Sequence, residues 1–197
     1  MNTQHAHKIS PIIQPKYYST LCLLNEEIYS IGGYSSNKWL SNCQKYSIIS
    51  DCWHSLPNMQ CERGAPAVFS FPKKFIYSVF GYNGYNVNSV EKLKIGCLQW
   101  ELVVICGEIT ARHAIHAIHI HSNKVIVFGG GCTSKETYML EIGDTITSRL
   151  MKQSSGGEFD CCTAPIGTGK YVYGVDSQRK IHVYSIKDDN WDCIANE

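Results

Sequence analysis

The sequence lacks the features that would carry a chain into or across a membrane. Its first twenty residues contain no continuous apolar stretch of the kind that a secretory signal requires. The longest apolar runs resemble the five residues 102–106, whereas a membrane-spanning helix needs ~18. No Asn-x-Ser/Thr glycosylation acceptor occurs. These absences predict a cytoplasmic location and no membrane partner.

The chain also lacks an excess of charge of either sign. It has 18 basic and 17 acidic side chains in 197 residues, for a formal net charge of +1. Nucleic acids select strongly basic surfaces, so we expect no nucleic-acid partner. Hydrophobic residues make up 44% and charged residues 18% of the chain, which is enough apolar material for a folded core.

Methionine is scarce, and the cysteines lack metal-ligand spacing. The chain has 4 methionines against 12 tyrosines and 16 glycines, a balance that favours strands and tight turns over helices. None of its 10 cysteines forms a Cys-x-x-Cys pair. In a cytoplasmic chain such cysteines are typically reduced and buried. We therefore predict no disulfide framework, no metal site and no cofactor.

What the sequence does contain is a repeat of about 47 residues. A short Tyr/Leu-x-Ile pattern recurs with its first residue at Tyr46, Leu93, Leu140 and Tyr184, in steps of 47, 47 and 44. Tryptophan follows three of these positions by seven residues, at Trp53, Trp100 and Trp191. An apolar run ending in glycine precedes each of the four Tyr/Leu positions, and the first glycines of these runs are Gly32, Gly81, Gly129 and Gly174. Three markers with one period indicate a modular β-array such as a propeller.

Each unit is predicted to be a blade of four antiparallel strands. Paired apolar runs joined by short polar turns are typical of hairpins. The second run is apolar at nearly every position, so neighbouring sheets must cover both of its faces. We predict a single all-β domain over 1–197, with blades at 17–57, 62–104, 110–152 and 157–195. Residues 1–16 are interpreted as the remnant of a preceding blade or as a tail.

These markers resemble the kelch-repeat family. The resemblance is strongest in the first unit, through Gly32-Gly33, Tyr46, Trp53 and Leu56-Pro57. The third unit keeps Gly129-Gly130 but has Thr147 where tryptophan would fall, and the fourth has only Gly174. The family most often forms six-bladed rings, so four units imply an incomplete or open propeller that could self-associate. A self-contained four-bladed ring is the alternative.

The resemblance also implies a non-catalytic protein-interaction module, as part of a scaffold or a ubiquitin-ligase substrate adaptor. Partners of such proteins dock on the loops at one end of the blades, here 34–40, 82–88 and 131–136, with 58–64 and 107–112. Arginine before the first strand often binds acidic peptides in this family; Arg63 and Arg112 hold that position, and Lys16 holds it in the first unit. Tyr34, Trp39, Tyr82 and Tyr85 are the predicted aromatic anchors, unless they only cover neighbouring blades.

A histidine-rich strand offers a different function, that of a small-molecule enzyme or metal-binding propeller. His113, His116, His119 and His121 lie on one predicted inner strand. Strict alternation would put His113, His119 and His121 on one face and His116 on the other. Because side chains on one strand project in parallel, a zinc site would also need Cys161 or Cys162. The sequence contains no recognisable catalytic group, and Gly167-Thr168-Gly169-Lys170 reads as a turn, not a phosphate-binding loop.

Overall fold

A computed structural model describes residues 8–72, 74–131, 135–151, 166–167, 170–176 and 178–194. Every regular element in these ranges is a β-strand, and none of the described residues forms a helix. The described ranges therefore contain no helix that could cross a membrane. The strands form four sheets of four or five strands, which we call blades 1 to 4, and one two-stranded hairpin.

The blades follow one another along the chain. Blade 1 contains β1 (Thr20–Leu24), β2 (Glu27–Ile31), β5 (Cys43–Ser47) and β6 (Cys52–Leu56); the hairpin is β3 (Tyr34–Ser35) and β4 (Lys38–Trp39). Blade 2 contains β7 (Ala67–Ser70), β8 (Phe75–Val79), β9 (Val90–Lys94) and β10 (Glu101–Val103). Blade 3 contains β12 (Ile115–His121), β13 (Lys124–Gly129), β14 (Thr137–Ile142) and β15 (Ile146–Leu150), with β11 (Ile105–Cys106) at its edge. Blade 4 contains β16 (Ile166–Gly167), β17 (Tyr171–Val175), β18 (Ile181–Ser185) and β19 (Asn190–Ile194).

The third-strand marker occupies the same place in all four blades. In each blade it pairs with the second residue of the second strand; the pairs are Tyr46 with Ile28, Leu93 with Ile76, Leu140 with Val125, and Tyr184 with Val172. The prediction of an open, all-β, propeller-like array of antiparallel four-stranded units is therefore confirmed.

The glycine marker does not keep the register that the sequence predicts. By strand pairing, Gly81 corresponds to Gly33, and Phe80 takes the place of Gly32 with a φ of +56°. Gly174 lies inside β17, opposite His182, and does not end the strand. Gly32 itself behaves as expected, because a Cβ there would approach the Arg63 carbonyl oxygen at 2.2 Å. The turn is thus common to the blades, whereas glycine is not required in each of them.

Three apolar cores join the blades in pairs. We call the face of a blade that meets the preceding blade its leading face, and the opposite face its trailing face. Blade 1 meets blade 2 where Tyr29 and Ile31 pack with Ile76 and Leu93. The other two boundaries repeat the arrangement with Tyr77, Val79, Val125 and Leu140, and with Ile126, Phe128, Val172 and Tyr184. Each blade therefore covers its apolar strands with its neighbours, as the apolar second strands predict.

In blades 1 and 2, the tryptophan in or next to the fourth strand donates a hydrogen bond to a segment that lies before the blade in the sequence. Trp100 Nε1 donates to Pro57 O at 2.9 Å, and Trp53 Nε1 donates to Ser10 O at 3.0 Å. Both acceptors lie 43 residues before their tryptophan. Ser10 thus takes the place relative to Trp53 that Pro57 takes relative to Trp100. Residues 1–7 lie outside the described ranges.

Blade 3 makes this contact without tryptophan. The residue opposite Leu140 is Ser148, not Thr147, because the hairpin between β14 and β15 is one residue longer. Ser148 Oγ donates to Cys106 O at 3.2 Å. The small serine lets the segment after blade 2 come close enough to pair as β11, parallel to β15. A backbone strand thereby occupies the space that an indole fills in the other blades.

Candidate functional site

The chain enters the first three blades through equivalent loops, each carrying one basic residue. Gly33 N donates to Arg63 O at 2.8 Å, and Gly81 N donates to Arg112 O at 3.2 Å. Lys16 lies in the corresponding segment before blade 1. The residue two positions after each basic residue, Tyr18, Ala65 or Ala114, has a φ between +46° and +55°. The predicted position of the basic residues before the first strand is therefore repeated in three blades.

Arg63 does bind a carboxylate, but the carboxylate belongs to the chain itself. Arg63 Nη2 lies 2.5 Å from Glu91 Oε1, and neither side chain has exposed surface. Arg63 also donates to Phe80 O and Ser89 O at 2.9 Å and to Ser89 Oγ at 2.7 Å. The guanidinium makes these hydrogen bonds inside the fold and has no exposed surface. The expected contact between Arg63 and a partner's acidic peptide therefore has no geometric basis.

Glu91 is fixed from a second side by the loop that enters blade 2. It accepts from Gln60 N at 2.6 Å and from Cys61 N at 3.0 Å. The buried pair thus connects this loop to the third strand of the blade. In blade 1 the corresponding residues are Lys16 and Gln44, with Gln14 N 3.5 Å from Gln44 Oε1. The ion pair is a structural device that positions the loops of the blade end.

Arg112 lies under the surface in a similar way. Its Nη2 donates to Glu136 Oε2 at 3.2 Å, and its guanidinium lies 5.1 Å from the ring centroid of Tyr138. The side chain is buried, and this burial lowers the pKa of Arg112. Burial also lowers the pKa of Lys16, to about 8. Lys16, Arg63 and Arg112 therefore all make contacts inside the fold.

Above these basic residues, the predicted aromatic anchors form one continuous row. Trp39 lies 4.7 Å from Tyr34 and 5.2 Å from Tyr82, measured between ring centroids. Tyr82 in turn lies 4.9 Å from the ring of His113, and Tyr18 lies 6.3 Å from Trp39. The row begins on the loop of blade 1, passes the loop of blade 2 and ends at the entry to blade 3. We call this set of five residues the aromatic row.

Gly64 allows the row to cross from blade 1 to blade 2. A Cβ on Gly64 would lie 2.4 Å from Cζ3 of Trp39, so any side chain here would displace the indole. The backbone of Gly64 also exchanges hydrogen bonds with Tyr82 at 2.8 and 2.9 Å. The glycine thus supports Trp39 and positions Tyr82, and it brings the two rings into contact.

The row is bordered by further exposed tyrosines. Tyr17 and Tyr85 are largely exposed, as is Tyr18 within the row, whereas Tyr34, Trp39 and Tyr82 are half-buried. Tyr17 and Tyr18 were not predicted as site residues, and His113 was predicted only as part of the histidine-rich strand. Their signal is positional, because Tyr17 and His113 each follow the basic residue of an entry loop. The structure thus brings Tyr34, Trp39 and Tyr82 together and leaves Tyr85 on the surface of the same loop as Tyr82.

The histidines of β12 do not share one face. A β-bulge between His119 and His121 shifts the alternation, so His121 pairs with Lys124 on the face opposite His119. The prediction that His113, His119 and His121 line one face is therefore wrong for His121. His119 stacks on Phe71 with 4.9 Å between ring centroids, and His113 Nδ1 lies 2.9 Å from Asn86 Oδ1. The described residues contain no group of three or more potential metal ligands, and Cys161 and Cys162 lie outside the described ranges.

A comparison with known families agrees with the repeat. The family model of the kelch motif matches residues 15–60, which include Lys16, all of blade 1 and the start of the loop that enters blade 2. The matched segment contains Gly32-Gly33, Tyr46 and Trp53. The other three sheets repeat the strand register of this unit. The kelch motif at residues 15–60 supports assigning the chain to the kelch-repeat family.

Proposed function

We propose that the protein is a non-catalytic interaction module that binds a protein partner through the aromatic row. The observation that carries the proposal is the continuity of the rings from Tyr34 through Trp39 and Tyr82 to His113. Kelch motifs generally mediate protein–protein interaction, and the row lies on the loop end of the blades.

The chemistry of the row favours an uncharged contact segment over an acidic one. Arg63 is neutralised by Glu91, and Arg112 is paired with Glu136. The exposed groups beside the row include the rings of Tyr17, Tyr18 and Tyr85. Lys38 and Glu62 on the same loops are also exposed and carry opposite charges, so they add no net charge. Tyrosine and tryptophan provide large, rigid contact surfaces with a polar tip. We therefore propose that the partner presents apolar or aromatic side chains with backbone hydrogen-bonding groups, and not a run of carboxylates.

We further propose that the module acts in the cytoplasm as the recognition part of a scaffold or a ubiquitin-ligase substrate adaptor. The cytoplasmic location is inferred from the composition of the sequence. The adaptor role is inferred by analogy with the fold family. Neither proposal changes the site, which is argued from the row alone.

The test is the affinity of a partner for a surface variant. The immobilised chain would first be used to isolate binding proteins from cell extract, and the purified partner would then be titrated in a calorimeter. Tyr18→Ala combined with Tyr85→Ala removes one exposed ring of the row and one exposed ring on its border, and neither ring belongs to an apolar core. We expect the Kd to rise at least ~10-fold, which corresponds to about 1.4 kcal/mol.

The matched control is Leu98→Ala, because Leu98 is also highly exposed but lies in the turn between β9 and β10, at the other end of blade 2. The control should leave the Kd unchanged. Equal binding by the double tyrosine variant and the unaltered chain would refute the proposed surface. A Kd that rises steeply with added salt would instead indicate charged contacts and would restore the acidic-peptide interpretation.

A further inference from the structure

Three positions on the trailing face recur from blade to blade near the turns, at the end opposite the aromatic row. They are the residue before the third-strand marker, its partner on the fourth strand, and the residue before the marker's partner on the second strand. Blades 1, 2 and 3 fill these positions with Lys45, His54 and Glu27, with Lys92, Glu101 and Phe75, and with Met139, Arg149 and Lys124. The repeat thus gives three versions of one boundary.

The first two versions pair their lysine with a carboxylate of the same blade. Lys45 Nζ lies 2.6 Å from Glu27 Oε1. Lys92 Nζ lies 3.7 Å from Glu101 Oε2 and 5.5 Å from the centroid of the Phe75 ring. At these two boundaries the lysine therefore has its counter-charge within the chain.

The boundary between blades 3 and 4 has the cations without the carboxylate. Both positions that hold an acidic residue in another blade hold a cation here, Lys124 and Arg149, and Met139 takes the place of the lysine. Glu141 stands opposite Lys124 in the strand ladder, but its Oε1 accepts from Asn123 Nδ2 at 3.5 Å. Among the described residues, no carboxylate forms an ion pair with either cation.

Blade 4 adds two more cations across this boundary. Lys170 lies two residues before Val172, on the leading face of the blade, and Lys187 lies in the turn after β18. Ile186 N donates to Lys170 O at 3.1 Å, which extends the strand ladder to this end of the blade. In the part of the chain that the structure describes, neither lysine is paired with a carboxylate.

The four cations line one cleft between the two blades. The cleft has a volume of about 590 Å³, and Asp188 is the single carboxylate among its lining residues. Asp188 Oδ2 accepts from Ser185 Oγ at 2.6 Å. Between the charged groups the wall is formed by Met139, Met151 and Ile186. A cleft of this volume is in the range that holds a small organic ligand, and it combines an excess of positive charge with an apolar wall.

We propose that this cleft binds a small organic anion that carries a phosphate group on an apolar body. A phosphate ester presents about two negative charges and three acceptor oxygens. The planar fork of Arg149 and the lysine ammonium groups suit these oxygens, and the apolar body lies against Met139 and Ile186. The ligand supplies the negative charge that Glu27 and Glu101 supply at the other boundaries. Because the cleft lies at the turn end of the blades, this inference does not depend on the proposed function.

The test is a calorimetric titration of the 197-residue chain with 1-naphthyl phosphate, at an ionic strength of about 0.15 M. We expect a Kd below ~1 mM. Inorganic phosphate should bind at least ~10-fold more weakly, because it has no apolar surface to bury. Arg149→Gln combined with Lys170→Gln removes one cation from each wall and should raise the Kd for 1-naphthyl phosphate at least ~10-fold. Both side chains are exposed, so the variant should keep the strand circular-dichroism spectrum.

The matched control is Lys38→Gln combined with Lys94→Gln. It removes the same number of positive charges from two exposed lysines outside the cleft, and it should leave the Kd unchanged. An equal rise of the Kd in the two double variants would show that only the net charge matters, and an unchanged Kd in the cleft variant would show that the ligand binds elsewhere. The proposal would also be overturned by the absence of binding at ~10 mM 1-naphthyl phosphate. Equal affinities for the two probes would contradict the role of the apolar wall.

Discussion

Removal of Arg63 tests whether the buried ion pair positions the loop end of blade 2. Arg63→Met keeps the aliphatic part of the side chain but removes all the hydrogen bonds that Arg63 donates to Glu91, Ser89 and Phe80. Breaking a buried pair from one side costs about 3–5 kcal/mol, because a charge remains buried without its partner. Glu91 retains the amides of Gln60 and Cys61, so we expect the low end of this range. Urea unfolding at pH 7 would measure the change in the free energy of unfolding.

The equivalent position in blade 1 provides a matched control. Lys16 Nζ donates to Asn42 O at 3.0 Å, and a neutral Gln44 stands where blade 2 has Glu91. Lys16→Met therefore leaves no carboxylate unpaired and should cost about 1 kcal/mol, the value of an ordinary hydrogen bond. A loss for Arg63→Met no larger than this would refute the reasoning.

A second substitution tests whether the unpaired carboxylate of Glu91 causes the loss of stability in Arg63→Met. Adding Glu91→Gln to Arg63→Met removes the uncompensated carboxylate, so the double variant should be more stable than Arg63→Met alone, by about 1–2 kcal/mol. If the two losses simply add, Glu91 does not depend on Arg63 for its charge. The positioning role assigned to the pair would then be wrong.

The remaining predictions concern the core, a titration and a turn. Trp100→Ala should cost ~3–5 kcal/mol, as for a buried large aromatic, and Trp53→Ala should cost less because Trp53 is only half-buried; equal losses in urea unfolding would contradict this. The pKa of Lys16 is lowered from 10.5 to about 8, so the unfolded chain binds more protons between these values. The unfolding free energy should therefore rise from pH 8 to 10.5 relative to Lys16→Met, and a parallel pH dependence of the two proteins would contradict it. Gly32→Ala should cost at least ~1–3 kcal/mol because φ is +61° and the new Cβ meets the Arg63 carbonyl; a neutral effect would show that this turn can relax.

The sequence predicts the array of blades well because the Tyr/Leu marker of the third strand depends only on packing in the core. Tyr46 and Leu93 fill the same place in their blades, and a core position tolerates few changes in burial or spacing. The glycine marker is weaker, since Phe80 adopts a positive φ in the place of Gly32. Local backbone strain can be accommodated by another residue, so a glycine count does not fix the register.

The roles of individual site residues are harder to predict. Arg63 has the position of a partner-binding residue, but its role depends on Glu91, which lies 28 residues later and faces it only in the folded blade. The β-bulge before His121 likewise places this side chain on the strand face opposite His119. Nothing in the sequence signals this bulge. The tyrosines were predictable because loops at one end of consecutive blades must lie side by side. Their ring contacts depend on Gly64, whose missing side chain makes room for Trp39.

The most direct test of the account is the hydrogen-exchange footprint of a bound partner. The account predicts slower amide exchange at residues 17–19, 34–40, 82–86 and 112–114, which carry the aromatic row and its border. It predicts no change at the opposite turns, residues 48–51, 95–99 and 143–145. Protection at those turns, with none at the loop end, would contradict the claim that this protein binds its partner through the aromatic row.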